Sequence, residues 1–122
     1  RLGPGDALLL RTGRWAHRAE HGPTRVMSGW DASVMPFLAE RDVALLGADS
    51  VHEAPNSVPG LNVNPIHRFA IVARGMNLLD NLDLEAAAET AARLNRWEFM
   101  IVVAPLRIPG GTGSPVNPIA IF

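Results

Sequence analysis

Three short apolar runs, separated by segments of different pattern, limit what this chain can fold into. Ala7-Leu8-Leu9-Leu10 is continuously apolar and stops at Arg11-Thr12-Gly13. Val43-Ala44-Leu45-Leu46-Gly47 follows Asp42 and ends at Ala48-Asp49-Ser50. A third run covers residues 97–103, and residues 119–122 make a short closing segment. Apolar runs this short, bounded by turn formers, predict buried strands. Between them lie helical patterns. Asp31 or Ser33 can cap a helix to about Glu40, with Pro36 near its first turn and Val34, Phe37 and Leu38 on its apolar side. Residues 66–74 predict a short helix closed by Gly75. Leu84, Ala87, Ala88, Ala91 and Leu94 recur at helical spacing behind Asp83. Strands that alternate with helices predict an α/β fold, and the pattern reads as one domain over residues 1–122.

Composition removes several functions. A formal net charge of −1 offers no basic field for phosphates, so nucleic acid is not an expected partner. No apolar run approaches the roughly 20 residues that span a bilayer, so no membrane partner is expected. There is no cysteine, which excludes disulfides and thiolate chemistry and fits a reducing, cytoplasmic compartment. All basic residues are Arg, so neither a Schiff-base lysine nor a phosphate-loop lysine is present. The chain enters an apolar run within a few residues of Arg1. That is abrupt for a complete domain, so an upstream segment, or a complementing chain, is expected.

The loops carry most of the polar chemistry. Residues 14–29 hold His17 and His21 and read as a long loop. Spacing by four would put both imidazoles on one helix face, a zinc-like arrangement, but Gly22-Pro23 and the lack of a steady period argue against it. Residues 51–65, rich in Pro, read as an extended loop, with His52 beside Glu53 as a surface residue. Residues 109–115 are Gly-rich but lack the Gly-Lys-Ser/Thr ending of a phosphate loop. They form either a sharp turn or a pocket wall, where Thr112 and Ser114 would offer hydroxyls.

Four further residues stand out. Asp49 ends a buried strand, where α/β sheets bind ligands, and is equally placed to cap a turn or helix. Trp15 is the tryptophan best placed for a pocket; core packing suits Trp97. His67 opens a helix and Asp80 ends a short strand thirteen residues later. An imidazole and a carboxylate suit Zn²⁺ or Mn²⁺. Spacing alone still favours a structural histidine, and two ligands do not make a catalytic site.

Several motifs together resemble the cyclase family of metal-dependent hydrolases, which includes bacterial kynurenine formamidases and isatin hydrolases. They are Gly5-Asp6-Ala7-Leu8-Leu9-Leu10-Arg11-Thr12-Gly13, then Leu46-Gly47-Ala48-Asp49. They continue with Ile66-His67-Arg68 through Leu79-Asp80-Asn81-Leu82, and end with Ala104-Pro105-Leu106 and Gly113-Ser114-Pro115. The resemblance covers essentially the whole chain, as the C-terminal portion of such a protein. It implies a swivelling β/β/α-type fold with a mixed β-sheet flanked by short helices. It implies hydrolysis of a C–N bond in an amide, N-formyl or cyclic amide by a metal-activated water. His67 and Asp80 match a His and a Glu that this half contributes to the metal site; Asp80 is one methylene shorter than the family's Glu. The family's main motif, His-x-Gly-Thr-His-x-Asp-x-Pro-x-His, is not among these residues, so no general acid or base can be named. Trp15, Asp49, Thr112 and Ser114 are the expected pocket residues. The expected cofactor is a divalent metal, Zn or Mn. The expected partners are a small-molecule substrate, with an aromatic one among the candidates, and either a homo-oligomer or a complementing N-terminal chain. The competing expectation is a catalytically inactive binding or scaffolding domain. A nucleotide or flavin binder would rest on the Gly-rich loop alone.

Overall fold

The computed structural model describes residues 1–25, 28–55 and 64–122. The remaining parts of the two loops read above, including Pro59 and Gly60, lie outside the described residues. The described chain forms two compact units, residues 1–84 and 85–122.

The first unit is built on three parallel strands in the order β1 (Ala7–Leu10), β2 (Leu45–Ala48), β3 (Asn77–Leu79). Leu8 pairs with Leu46, and Leu46 with Leu78, so one row of leucines crosses the sheet. β2 lies in the middle and is the most buried of the three, which is why its run is apolar without alternation. Gly47 sits at its centre because a Cβ there would come within 2.5 Å of the Leu9 side chain and 2.8 Å of Leu82. The leucines close over the strand where a larger residue would hold them off.

Helices fill the crossovers, as parallel strands require. The β1–β2 connection carries α1 (Arg14–His21), a 3₁₀ turn (Ala32–Val34) and α2 (Met35–Glu40). Asp31 caps the 3₁₀ turn by accepting from the Ser33 N–H at 2.9 Å, one of the two caps expected there. The β2–β3 connection carries α3 (Pro65–His67), which widens at once into a π-helical stretch (Arg68–Ala73) before Gly75 turns the chain in the left-handed region. Leu38, Val43, Leu46, Ile66, Ala70 and Met76 make the core cluster.

The second unit holds α4 (Glu85–Leu94) and an antiparallel pair, β4 (Met100–Val102) with β5 (Ile119–Ile121). Ile101 pairs with Ala120, and the Phe99 and Phe122 rings meet at the end of the pair, 4.6 Å apart. The strand read over residues 97–103 is shorter than its apolar pattern, and Trp97 is 67% exposed rather than packed in a core. The architecture is mixed α/β, with parallel and antiparallel sheets and short helices.

The segment read as a loop at residues 14–29 contains α1. Two features hide this helix from a sequence reading. No residue of α1 is buried, its apolar side is only Trp15, Ala16 and Ala19, and no side chain at its N-cap, Gly13, caps it. Its N-terminus is held from another strand, as shown below.

Leu46 is fully buried in the central strand. Leu46→Ala should cost about 2–5 kcal/mol of stability, the range for deleting a buried leucine side chain, read from urea unfolding midpoints.

Candidate metal centre

In a parallel sheet every strand ends on the same side, so the residues after β1, β2 and β3 share one edge. After β1 come Thr12, Gly13 and Arg14; after β2, Asp49 to Glu53; after β3, Asp80 to Leu82. Backbone bonds lock these ends together. Asn81 donates to the Ser50 carbonyl at 3.0 Å, and Leu82 donates to the Ala48 carbonyl at 2.9 Å. Asn81 takes a left-handed φ of 57°, which Asn tolerates better than most residues. This turn brings the Asp80 side chain back over the chain leaving β2.

Three candidate ligands gather there. The Asp80 carboxylate stands between two imidazoles: Oδ1 is 2.7 Å from His52 Nδ1 and Oδ2 is 3.2 Å from His67 Nε2. His52, His67 and Asp80 each offer a ligand atom within 4.8 Å of the others. The two rings meet edge to face at 5.7 Å. His67 has a second acid on its far side, Glu53, whose Oε2 is 2.7 Å from Nδ1.

His52 was read as a surface residue; it is fully buried. Its Nε2 is also buried and has no hydrogen-bonding partner among the described residues. A lone buried imidazole nitrogen costs free energy unless something occupies it. The His-Glu pair at 52–53 gave no periodic signal, because its burial is created by the turn at Asn81 and by residues 29–30, far away in sequence. Trp30 donates to the His52 carbonyl at 2.7 Å, and Ala54 donates back to Trp30 at 2.9 Å.

The electrostatics point the same way. Asp80 is held below the usual carboxylate range, first by its hydrogen bond to His52, against the opposing effect of partial burial, with smaller help from His67. It is therefore charged at neutral pH. His67 faces a carboxylate oxygen at each ring nitrogen, and a neutral imidazole carries only one N–H. One of its two contacts then sets acceptor against acceptor unless a proton or a cation lies between. Two imidazoles and one carboxylate make a donor set that could hold a divalent cation.

Asp49 is fully buried, and its carboxylate is filled by four donors: Thr12 N–H and Oγ–H on Oδ1, both at 2.8 Å, and Gly13 and Arg14 N–H on Oδ2, at 2.9 and 3.2 Å. It is the anchor of the turn after β1 and supplies from β2 the N-terminal acceptor that α1 lacks locally. Between the two roles read for it, the geometry is that of the cap. Trp15 on α1 donates its indole N–H to the Leu82 carbonyl at 2.7 Å, and the Arg14 guanidinium bonds the Asn81 side chain. Thr112 is exposed, and Ser114 Oγ accepts from the Leu106 N–H at 3.0 Å; both belong to the second unit. His17 and His21 lie on one face of α1 after all, their rings stacked at 4.6 Å and exposed.

Two outcomes test this geometry. Asp49→Ala would strand three backbone N–H groups, so it should destabilise the fold by about 1–3 kcal/mol and lower the helical signal from α1 by circular dichroism. Asp80 has a folded pKa below its unfolded value of about 3.9. Its contribution is therefore complete above that unfolded value and is lost as pH falls through the folded one. Metal-free wild type should lose more stability than Asp80→Asn between neutral pH and pH 2; parallel losses in chemical unfolding would count against the His52–Asp80 contact.

No family model matches the chain, and no curated protein matches it. Among solved structures, one described as the crystal structure of a novel cyclase is similar over 100% of this chain, with 31% sequence identity and a TM-score of 0.79. The chain spans 42% of that protein's length. Among the described residues, no helix is long and apolar enough to cross a membrane. The mixed α/β architecture matches a cyclase-like fold.

Proposed function

We propose that this chain is part of a metal-dependent hydrolase acting on a C–N bond, in an amide, an N-formyl group or a cyclic amide, and that it contributes part of the metal site and of the substrate pocket. The observation that carries the reading is the meeting of His52, His67 and Asp80 at the ends of β2 and β3. His67 and Asp80 are the proposed ligands with His52 as a third, one more than the sequence offered. A divalent cation held there would act as a Lewis acid, making a water more acidic and polarising the carbonyl under attack. The chain's own part is to hold and orient. Two imidazoles and one carboxylate give a site of modest negative charge that retains a dication without quenching it. Trp15, tied to the Leu82 carbonyl two residues beyond Asp80, puts an indole ring beside the ligand segment and supports an aromatic substrate.

The remaining ligands and the residue that moves protons are proposed to come from residues outside this chain, in the same polypeptide or in a partner. The solved cyclase supports this, since this chain matches only part of its length. A homo-oligomer would be one way to supply them.

Titration of the complete protein with Zn²⁺ and with Mn²⁺ by calorimetry is the test. Binding should be lost or weakened at least tenfold in His67→Ala and in His52→Ala. It should also weaken in acid, because protons compete with the cation for the same ligand atoms. Metal-dependent hydrolysis of N-formyl aromatic amines or cyclic amides should vanish in the same variants. A well-folded complete protein that binds neither cation would instead favour a non-catalytic binding or scaffolding domain.

A further inference from the structure

His67 has an acid at each ring nitrogen but, when neutral, only one proton to give. The two acids are not equally placed to receive it. Glu53 Oε2 lies 2.7 Å from Nδ1, while Asp80 Oδ2 lies 3.2 Å from Nε2. Asp80 is already engaged on its other oxygen by His52 at 2.7 Å. Glu53, by contrast, spends both oxygens on this one residue: Oε1 accepts from the His67 backbone N–H at 2.9 Å. Its side chain is 13% exposed, against 36% for Asp80, so water competes less for it.

Glu53 is also held rigidly. It forms a parallel bridge with Trp30, flanked by the Trp30–His52 and Ala54–Trp30 backbone bonds. Gly29 makes this approach possible, because a Cβ there would sit 2.6 Å from the backbone of His52 and Glu53. The acid's backbone is thus locked, and its bidentate grip fixes both the main chain and the ring of His67.

We propose that Glu53 is the positioning residue of His67: it keeps the imidazole proton on Nδ1 and turns Nε2, as a bare lone pair, toward the cation site. This inference rests on the reading of His67 as a metal ligand. A neighbouring acid commonly plays this part for a metal-bound histidine, fixing its tautomer and raising its basicity, and its loss typically weakens metal binding about 10–100-fold. Gln cannot substitute, since its single acceptor oxygen would face two donors while its amide nitrogen met one of them.

Two measurements on the complete protein test it. The first is ¹⁵N NMR of the His67 ring in metal-free protein, at a pH high enough that the ring keeps one proton. That proton should reside on Nδ1 in wild type and shift toward Nε2 in Glu53→Gln. The second is Zn²⁺ affinity by calorimetry, expected to fall about 10–100-fold in Glu53→Gln with an unchanged circular dichroism spectrum. A wild-type proton on Nε2, or an unchanged affinity in a folded Glu53→Gln, would overturn the proposal. Should Glu53→Gln fail to fold, the wild-type ring spectrum still decides it. Should wild type bind no Zn²⁺, the metal reading falls, and the ring spectrum separately reports whether Glu53 sets the tautomer.

Discussion

One carboxylate, that of Asp80, lies against two imidazoles at once, and the functional edge of the first unit is arranged around it. Charge on this group is maintained by His52, which is itself sealed from solvent. Burying His52 would be costly if it stood alone, because a desolvated imidazole needs a partner. Asp80 satisfies one nitrogen and leaves the other. The same acid reaches outward to the half-buried His67. A fully buried polar group and a partly exposed one are thereby joined through a single anion.

The sheet explains why these groups meet. Parallel pairing sends the ends of β2 and β3 to a common edge, and the Asn81–Ser50 and Leu82–Ala48 backbone bonds hold those ends in register. Two acids on that edge, Asp49 buried and Asp80 exposed, then divide the labour. Asp49 is saturated by four donors and serves the turn and α1. Asp80 is left under-coordinated. Saturation and want of partners, rather than residue type, separate a structural aspartate from a ligand candidate on the same edge.

How much of this was legible in the sequence follows from where each signal resides. β1 and β2 were legible because a strand buried on both faces must be apolar along its length, as Ala7–Leu10 and Leu45–Ala48 are. The Asp31 cap was legible because capping is local. His67 and Asp80 were legible as ligand types and through the family resemblance, though not their contact, which depends on a turn at Asn81. α1 was hidden because its N-terminus is satisfied by Asp49, distant in sequence, and because its apolar side is only Trp15, Ala16 and Ala19. His52 and Glu53 were hidden for a related reason. Nothing in a run of loop residues announces that one side chain will be sealed in and the next clamped to a helix. Their roles come from the strand-like pairing with Trp30, permitted by the missing side chain at Gly29.

The contacts of α1 carry one more implication. Arg14 grips the Asn81 side chain and Trp15 grips the Leu82 carbonyl, so two successive residues at the start of the helix hold the two residues that follow Asp80. The helix and that acidic turn are therefore coupled as a lever and its load. Anything that docks on the outer, histidine-bearing face of α1 and tilts it would tug the turn within two residues of the acid, and so reach the interior without touching it.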